Sequence, residues 1–381
     1  MTKRILIFST DDFTPPAGGA ELAIRYITES LPEFEFDLVC ANIYKKEKFE
    51  KVNNVNIYRI GVGIPKLDKF ILMFLGHFRG MQLHKTKKYN AVWGMMASYG
   101  GFAAMFFKKK NPDVPFLLTL QEGDDLSVYK KKLGFLYSTF LEIFTSADYI
   151  QCISNYLAKW AKDNGATCPI EIVPNGANIE HFSQNYSEQE LLDLKNKLNK
   201  KEGDKFVITT SRLVFKNAVG DVIKSLPSLS PEVKFLVLGV GPDESKLRDL
   251  VAELKLENRV LFLGNIEHKD MPKYLKISDI FIRPSISEGL GNSFIEAMAA
   301  GLPTIGTPVG GIPDFLIEGE TGFLCQPNDP QSIADTINRI LNLDKNKLNQ
   351  IKDNALRLVS ARFNWDVVGD SMRQIFLAIT K

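Results

Sequence analysis

Along the first half of the chain, apolar runs of strand length alternate with stretches whose apolar residues recur every three or four positions. The strand-like runs are Arg4 to Ser9, Phe36 to Cys40, Val55 to Ile60, Ala91 to Gly94, Pro115 to Leu120, Tyr149 to Ile153 and Ile170 to Val173. Helical spacing fills the intervals at Ala20 to Leu31, Phe70 to Lys88, Tyr99 to Lys108, Gly134 to Ala147 and Asn155 to Asn164. Strands alternating with helices predict βαβ units and a parallel sheet. The pattern breaks around Pro174-Asn175-Gly176, and His181 to Asp204 is polar with a helix-like segment at Glu188 to Lys200, so a domain boundary is placed here. Alternation then resumes, from Lys205 to Thr210 through Lys234 to Gly239, Val260 to Leu263 and Ile280 to Ile282 to Pro303 to Gly306, and predicts a second parallel sheet. The end is helical: Pro330 to Leu341, Lys345 to Ser360 and an amphipathic segment from Trp365 to Ile379. The expected fold class is therefore α/β, two doubly wound parallel-sheet domains. Such domains take ligands at their strand C-termini, which places the expected substrate site in a cleft between the halves.

Length and composition agree with two domains, since 381 residues exceed the roughly 250 to 300 at which single cores stop growing. No run of about 18 apolar residues occurs, and the opening Met1-Thr2-Lys3-Arg4 leads into only a short apolar stretch, which predicts a cytoplasmic chain. Cys40, Cys152, Cys168 and Cys325 lie far apart without C-x-x-C spacing and read as reduced core residues. The formal charge of +2 hides an asymmetry: Lys45 to Lys132 holds 17 Lys and Arg against 7 Asp and Glu, an excess of ten. These cations flank the apolar, aromatic stretch Phe70-Ile-Leu-Met-Phe-Leu75, a pairing that suits peripheral contact with an anionic membrane and equally suits solvated helix ends around a core helix. No aromatic-interleaved or helix-turn-helix pattern accompanies the charge, so nucleic acid is not an expected partner.

The richest stretch runs from Arg283 through Glu288-Gly289-Leu290-Gly291-Asn292-Ser293 to Glu296 and Pro303. A strand enters a glycine turn, and Asn292 or Ser293 is expected to cap the following helix. Glycines admit a ligand to the backbone, and helix N-H groups hold anions, which suits a phosphate or diphosphate. Glu288 and Glu296 flank that site, and carboxylates bind hydroxyls. A diphosphate between two polyhydroxyl groups is the shape of a nucleotide sugar. Gly18-Gly19-Ala20-Glu21 repeats the glycine turn at the first helix. Arg212 and Lys216 follow the first strand of the second half, where they can neutralise a leaving diphosphate. Gly239-Val240-Gly241-Pro242 ends another strand in a tight turn. In the first half, Gln121-Glu122-Gly123-Asp124-Asp125 is an acidic turn after a strand, which makes Glu122 and Asp124 candidates on the acceptor side or members of a solvated loop. No Asp-x-Asp, H-E-x-x-H or histidine cluster is present, so no metal and no other cofactor is expected.

Together these stretches resemble the retaining glycosyltransferases of family 4 (glycosyl transferases group 1), whose two-Rossmann architecture is called GT-B. The resemblance spans nearly the whole chain, from Gly18-Gly19-Ala20-Glu21 through Pro174-Asn175-Gly176, Ser211-Arg212-Leu-Val and Gly239-x-Gly241-Pro242 to Gly310-Gly311-Ile-Pro313-Asp314. Its most specific part is Glu288 and Glu296 with seven residues between them, the family's E-x7-E motif. It implies an acceptor-binding domain at 1–185, a nucleotide-sugar-binding domain at 205–362, and a final helix, 363–381, crossing back to the first domain. It further implies a retaining transferase with a nucleotide diphosphate sugar donor and a glycan or lipid-linked glycan acceptor, as in bacterial envelope polysaccharide biosynthesis. Glu288, Arg212 and Lys216 would be catalytic. Gly18, Gly19, Gly241, Gly289, Leu290, Gly291, Asn292, Ser293 and Glu296 would bind the donor. Two departures stand out. The histidine many members carry after the strand ending here at Leu120 is replaced by Gln121-Glu122-Gly123, and Lys216 stands four residues after Arg212 where many members have five. A nucleotide-sugar 2-epimerase, a phosphorylase of the same fold or a non-catalytic nucleotide-sugar-binding subunit remain alternatives.

Overall fold

The computed structural model describes residues 2–14, 18–124 and 126–380. Its first unit comprises Met1–Gly176 and Trp365–Lys381. In chain order it contains β1 (Lys3–Phe8), α1 (Gly19–Glu29), β2 (Phe34–Ala41), β3 (Phe49–Val52), β4 (Val55–Ile60), α2 (Pro65–Lys87), β5 (Ala91–Met95), α3 (Tyr99–Lys110) and β6 (Phe116–Leu120). It continues with α4 (Tyr129–Leu133), α5 (Tyr137–Thr145), β7 (Tyr149–Cys152), α6 (Asn155–Asp163) and β8 (Ile170–Ile172). The strands form one sheet in the order β3-β4-β2-β1-β5-β6-β7-β8, parallel throughout except for the antiparallel β3–β4 pair. Both faces of the central strands are covered, which is why β1, β5 and β6 read as continuous apolar runs rather than alternating ones. The edge strand β3, Phe-Glu-Lys-Val, has no such run and escapes a search for apolar runs. Strand order reverses between β1 and β5, and sheets of this kind bind ligands beyond the strand C-termini at that reversal.

The second unit, Ala177–Asn364, contains α7 (Ile179–Ser183), α8 (Glu188–Lys197), β9 (Lys205–Thr210), α9 (Val219–Ser225), β10 (Val233–Leu238), α10 (Glu244–Glu253), β11 (Val260–Gly264) and α11 (Met271–Lys276). Then come β12 (Ile280–Ile282), α12 (Asn292–Ala299), β13 (Thr304–Gly306), β14 (Phe323–Leu324), α13 (Pro330–Leu341) and α14 (Lys345–Arg362). Its sheet is parallel throughout, in the order β11-β10-β9-β12-β13-β14, and reverses between β9 and β12.

Residues 177–185, assigned to the first domain from sequence, belong to this unit, as does the polar stretch that follows them. Phe182 is fully buried with the His268 ring edge-on at 5.2 Å, and Lys200 bonds Asp279 at 2.9 Å. A segment anchored by a few apolar residues and ion pairs looks like a linker to a hydropathy scan. The final helix α15 (Trp365–Ile379) packs in the first unit, where Phe376 meets Phe34, Phe36 and Trp93 and Trp365 stacks on Tyr26 at 4.6 Å. A Cβ on Gly176 would fall 2.5 Å from the Trp365 ring, so the break in pattern at that glycine is a packing requirement. Three cysteines are buried as expected, but Cys168, in the loop before β8, is half-buried. Among the described residues no helix is long and apolar enough to cross a membrane.

Candidate functional site

In the second unit the turns after β9 and after β12 meet at the reversal of strand order. Strand β12 delivers Arg283, and Gly291, at φ +93°, turns the chain into α12. The capping residue is therefore Gly291, not Asn292 or Ser293, and no side chain caps the helix. Asn292 and Ser293 are instead its first residues, and first-turn N-H groups have no partner within a helix. Glu288 is 8% exposed; its carboxylate pairs with the Arg283 guanidinium and accepts from the Gly289 N-H at 3.1 Å. Arg283 also donates to Asn217 Oδ1 at 2.9 Å and Ser293 Oγ at 3.0 Å, while Asn217 donates to the Arg212 carbonyl at 2.6 Å. The Ile286 N-H reaches the Lys216 carbonyl at 2.7 Å. One arginine thus laces together the two turns that carry Arg212, Lys216, Glu288 and Ser293. The Gly310-Gly311 turn lies directly on Glu288: Gly311 donates to its carbonyl, and a Cβ on Gly310 would sit 1.7 Å from that oxygen.

The Arg212 side chain is exposed and has no side-chain partner among the described residues, so its charge is available to a ligand. Lys216 is half-buried. Gly241 has an immediate packing role, since a Cβ there would lie 2.2 Å from the Leu213 carbonyl oxygen; with Gly239 it lets the β10 turn run against the Ser211–Leu213 backbone. Leu290 is buried, which leaves its backbone alone to meet a ligand. Glu296 is on the α12 surface, 3.6 Å from the His268 imidazole, whose pKa it raises against the opposing effect of burial. His268 stacks on His181 at 5.3 Å. A cavity of about 630 Å³ lined by Val214, Gly220, Asp243 and Pro330 includes neither glutamate.

In the first unit Gly18 and Gly19 stand exposed at the start of α1, where Glu21 accepts from the Gly18 N-H at 3.1 Å. Just before them lies an ion-pair cluster. Asp12 is buried against Arg59 at 2.7 Å, and although burial raises its pKa, hydrogen bonds from Arg59 and Thr14 hold it below the usual carboxylate range. Burial pushes neighbouring Asp11 up to about 6. Glu122 is not in a solvated loop. It is 1% exposed, takes the Ala97 N-H at 2.6 Å, and burial pushes it up to about 7 against those backbone donors. Ala97 is aimed at it by Met96 in left-handed geometry and by Gly101, whose Cβ would meet the Met96 carbonyl at 2.4 Å. Asp124 is exposed, and Asp125 is outside the described residues.

Arg283, Asn217, Arg59 and Asp12 were not singled out from sequence. The one available signal was position: Arg283 and Asn217 sit in the turns that follow strands at the reversal point.

This arrangement, two parallel sheets with a carboxylate and glycine turn at one reversal, defines a two-Rossmann protein of the GT-B kind. The sequence model of Glycosyl transferases group 1 matches residues 192–357, and that of Glycosyltransferase Family 4 matches 17–181. The chain belongs to this glycosyltransferase family. It is 26% identical to an uncharacterized glycosyltransferase of Methanocaldococcus jannaschii, over 99% of both chains. Among solved structures it resembles sucrose-phosphate synthase of Thermosynechococcus elongatus, with TM-score 0.85, 22% identity, and 100% of this chain and 99% of that one covered. It also resembles Anabaena HepE in complex with UDP and glucose, with TM-score 0.79, 18% identity, and 99% of this chain and 100% of that one covered.

Proposed function

We propose that the chain is a retaining glycosyltransferase that moves a sugar from a nucleotide diphosphate sugar to a hydroxyl on a glycan or lipid-linked glycan, in envelope polysaccharide assembly. The observation that carries this reading is the buried Glu288, fixed by Arg283 and Gly289 beside the start of α12, with Glu296 one turn into that helix. A carboxylate already neutralised by a fixed arginine keeps oxygen lone pairs for sugar hydroxyls, and the more open Glu296 suits the ribose. Arg212, Lys216 and the N-H groups from Leu290 to Ser293 meet the charge that develops on the leaving diphosphate, with no metal invoked. A donor phosphate oxygen takes the acceptor proton, which agrees with the absence of a histidine in the Gln121–Asp124 turn. The UDP bound in the HepE structure agrees with a nucleotide-linked donor.

A thermal-shift series with UDP-, GDP- and ADP-sugars tests the donor site. A ligand present at about 100 times its dissociation constant adds roughly 2.7 kcal/mol to folding stability. One nucleotide is expected to raise the melting temperature, and Glu296→Ala is expected to abolish the rise. No shift with any nucleotide sugar overturns the reading, and product NMR showing an inverted anomeric centre overturns its stereochemistry.

A further inference from the structure

Helix α2 is apolar on two faces. Its inner face packs Leu72, Met73 and Leu83 into the unit, with Gly80 placed where a Cβ would fall 2.7 Å from the Phe8 ring. Its outer face, with the segment just before it, exposes Val62, Ile64, Leu67, Phe70, Phe74 and Phe78. From Leu67 onward these recur every three or four residues, so they form a single stripe. Phe70 stands at the edge of that stripe and meets Tyr99 edge-on at 5.8 Å. Both rings also line a cavity of about 370 Å³ together with Met73, Phe102, Leu136 and Phe140, within the size range of small-molecule sites. The same cavity is lined by Ala97, the residue whose N-H Glu122 holds. The second Glu122 carboxyl oxygen has no hydrogen-bond partner among the described residues.

The rim of the stripe is cationic. Lys66 is on α2 itself beside Phe70's edge of the stripe, Lys45 lies over Gly63, Lys48 bonds the Gly61 carbonyl, and Lys110 is close enough to act on His77 of α2. An apolar aromatic helix face edged with lysines matches an anionic bilayer, with aromatic rings at the acyl boundary and ammonium groups among the headgroups. Stripe and cavity share Phe70, and Ala97 in the cavity wall is hydrogen-bonded to Glu122.

We propose that the first unit takes an amphiphilic acceptor from an anionic lipid surface, with the outer face of α2 resting on the bilayer and the cavity holding the acceptor's apolar chain so that its hydroxyl end lies toward Glu122. Calling the ligand an acceptor rests on the glycosyl-transfer reading; the surface and the cavity do not.

Co-sedimentation with phosphatidylglycerol and phosphatidylcholine vesicles tests the surface. Binding is expected to phosphatidylglycerol at low salt, to weaken with added salt, and to fall about tenfold or more in Phe74→Glu/Phe78→Glu. Dodecyl maltoside below its micellar concentration tests the cavity: it is expected to raise the melting temperature of the parent and not of Leu136→Trp, which should still bind vesicles. Equal binding to both lipids overturns the proposal, as does a parent that is dimeric through this face and becomes monomeric in Phe74→Glu/Phe78→Glu. A detergent shift that persists in both Leu136→Trp and Phe70→Ala overturns the cavity assignment. None of these arms contains nucleotide, so their failure is distinct from a failed donor shift.

Discussion

Two glutamates in the turns after parallel strands, Glu288 in the second unit and Glu122 in the first, are both buried, yet they are built in opposite ways. Glu288 is met by a guanidinium that is itself tied to Asn217 and Ser293. Glu122 is met by the Ala97 N-H and other backbone donors, no cation pairs with it among the described residues, and one of its oxygens is unpartnered. The first arrangement fixes a negative charge at a set position. The second holds a carboxyl whose proton can come and go near neutral pH. The difference agrees with the proposed roles, a fixed charge at the donor and, on the proposed acceptor side, a carboxyl that can hydrogen-bond a hydroxyl whose proton goes to the donor phosphate.

The largest effect should come from removing the counter-charge. Arg283→Ala leaves a buried Glu288 unpaired and cuts the tie between the two turns. It is expected to cost about 3 to 5 kcal/mol in urea unfolding, the usual result of breaking a buried pair. A loss below about 1 kcal/mol would erase the contrast between the two glutamates. Next comes Arg212→Ala; the exposed Arg212 side chain makes no hydrogen bond or ion pair among the described residues, so its loss should leave stability unchanged. Turnover should fall on the order of 10²-fold, about 3 kcal/mol in the barrier, if the exposed guanidinium meets the leaving diphosphate. Full turnover in this variant would remove Arg212 from the mechanism.

How much of this was legible in the sequence follows the same divide. The alternation of strands and helices, the two parallel sheets and the Glu288–Glu296 turn could be read because they rest on local patterns: apolar runs, glycine turns, a strand leading into a helix. Arg283 and Asn217 could not, since 66 residues separate the two partners and only the fold brings them together. The burial of Glu122 was hidden for a related reason. An acidic turn reads as solvated, whereas here Met96 in left-handed geometry and Gly101 close the α3 start over Glu122. The Gly291 cap was hidden because a serine and an asparagine beside it are better capping residues by type, and the αL turn took precedence.

The pH response separates the two glutamates further. Burial holds Glu122 up to about 7, above its unfolded value of 4.5, so the folded state keeps the proton longer. Its contribution is fully present below about 4.5 and is lost as pH rises from there through 7. Glu122→Gln, which carries no such proton, should therefore gain stability relative to the parent over that window, by on the order of 2 kcal/mol. Asp11, raised to about 6, acts with the same sign, and for that reason the comparison is made against the parent at each pH. A difference that stays flat from pH 4.5 to 7.5 would mean that Glu122 is solvated.

The smallest effect concerns Glu296, the glutamate that is neither buried nor locked. Its only charged neighbour among the described ion pairs is His268, whose imidazole it raises above the ordinary value. The raised pKa means that His268 carries its charge, and the pair persists, below that value and dissolves as pH climbs through it. Glu296→Gln should therefore lower the His268 titration midpoint toward about 6.5, read by NMR from the ring Cε1 proton. A nucleotide sugar whose ribose takes Glu296 should do the same in the unaltered chain, because a carboxylate turned to hydroxyls no longer serves the imidazole. An unmoved midpoint in both experiments would show that Glu296 faces solvent and not the histidine, and would put the ribose elsewhere.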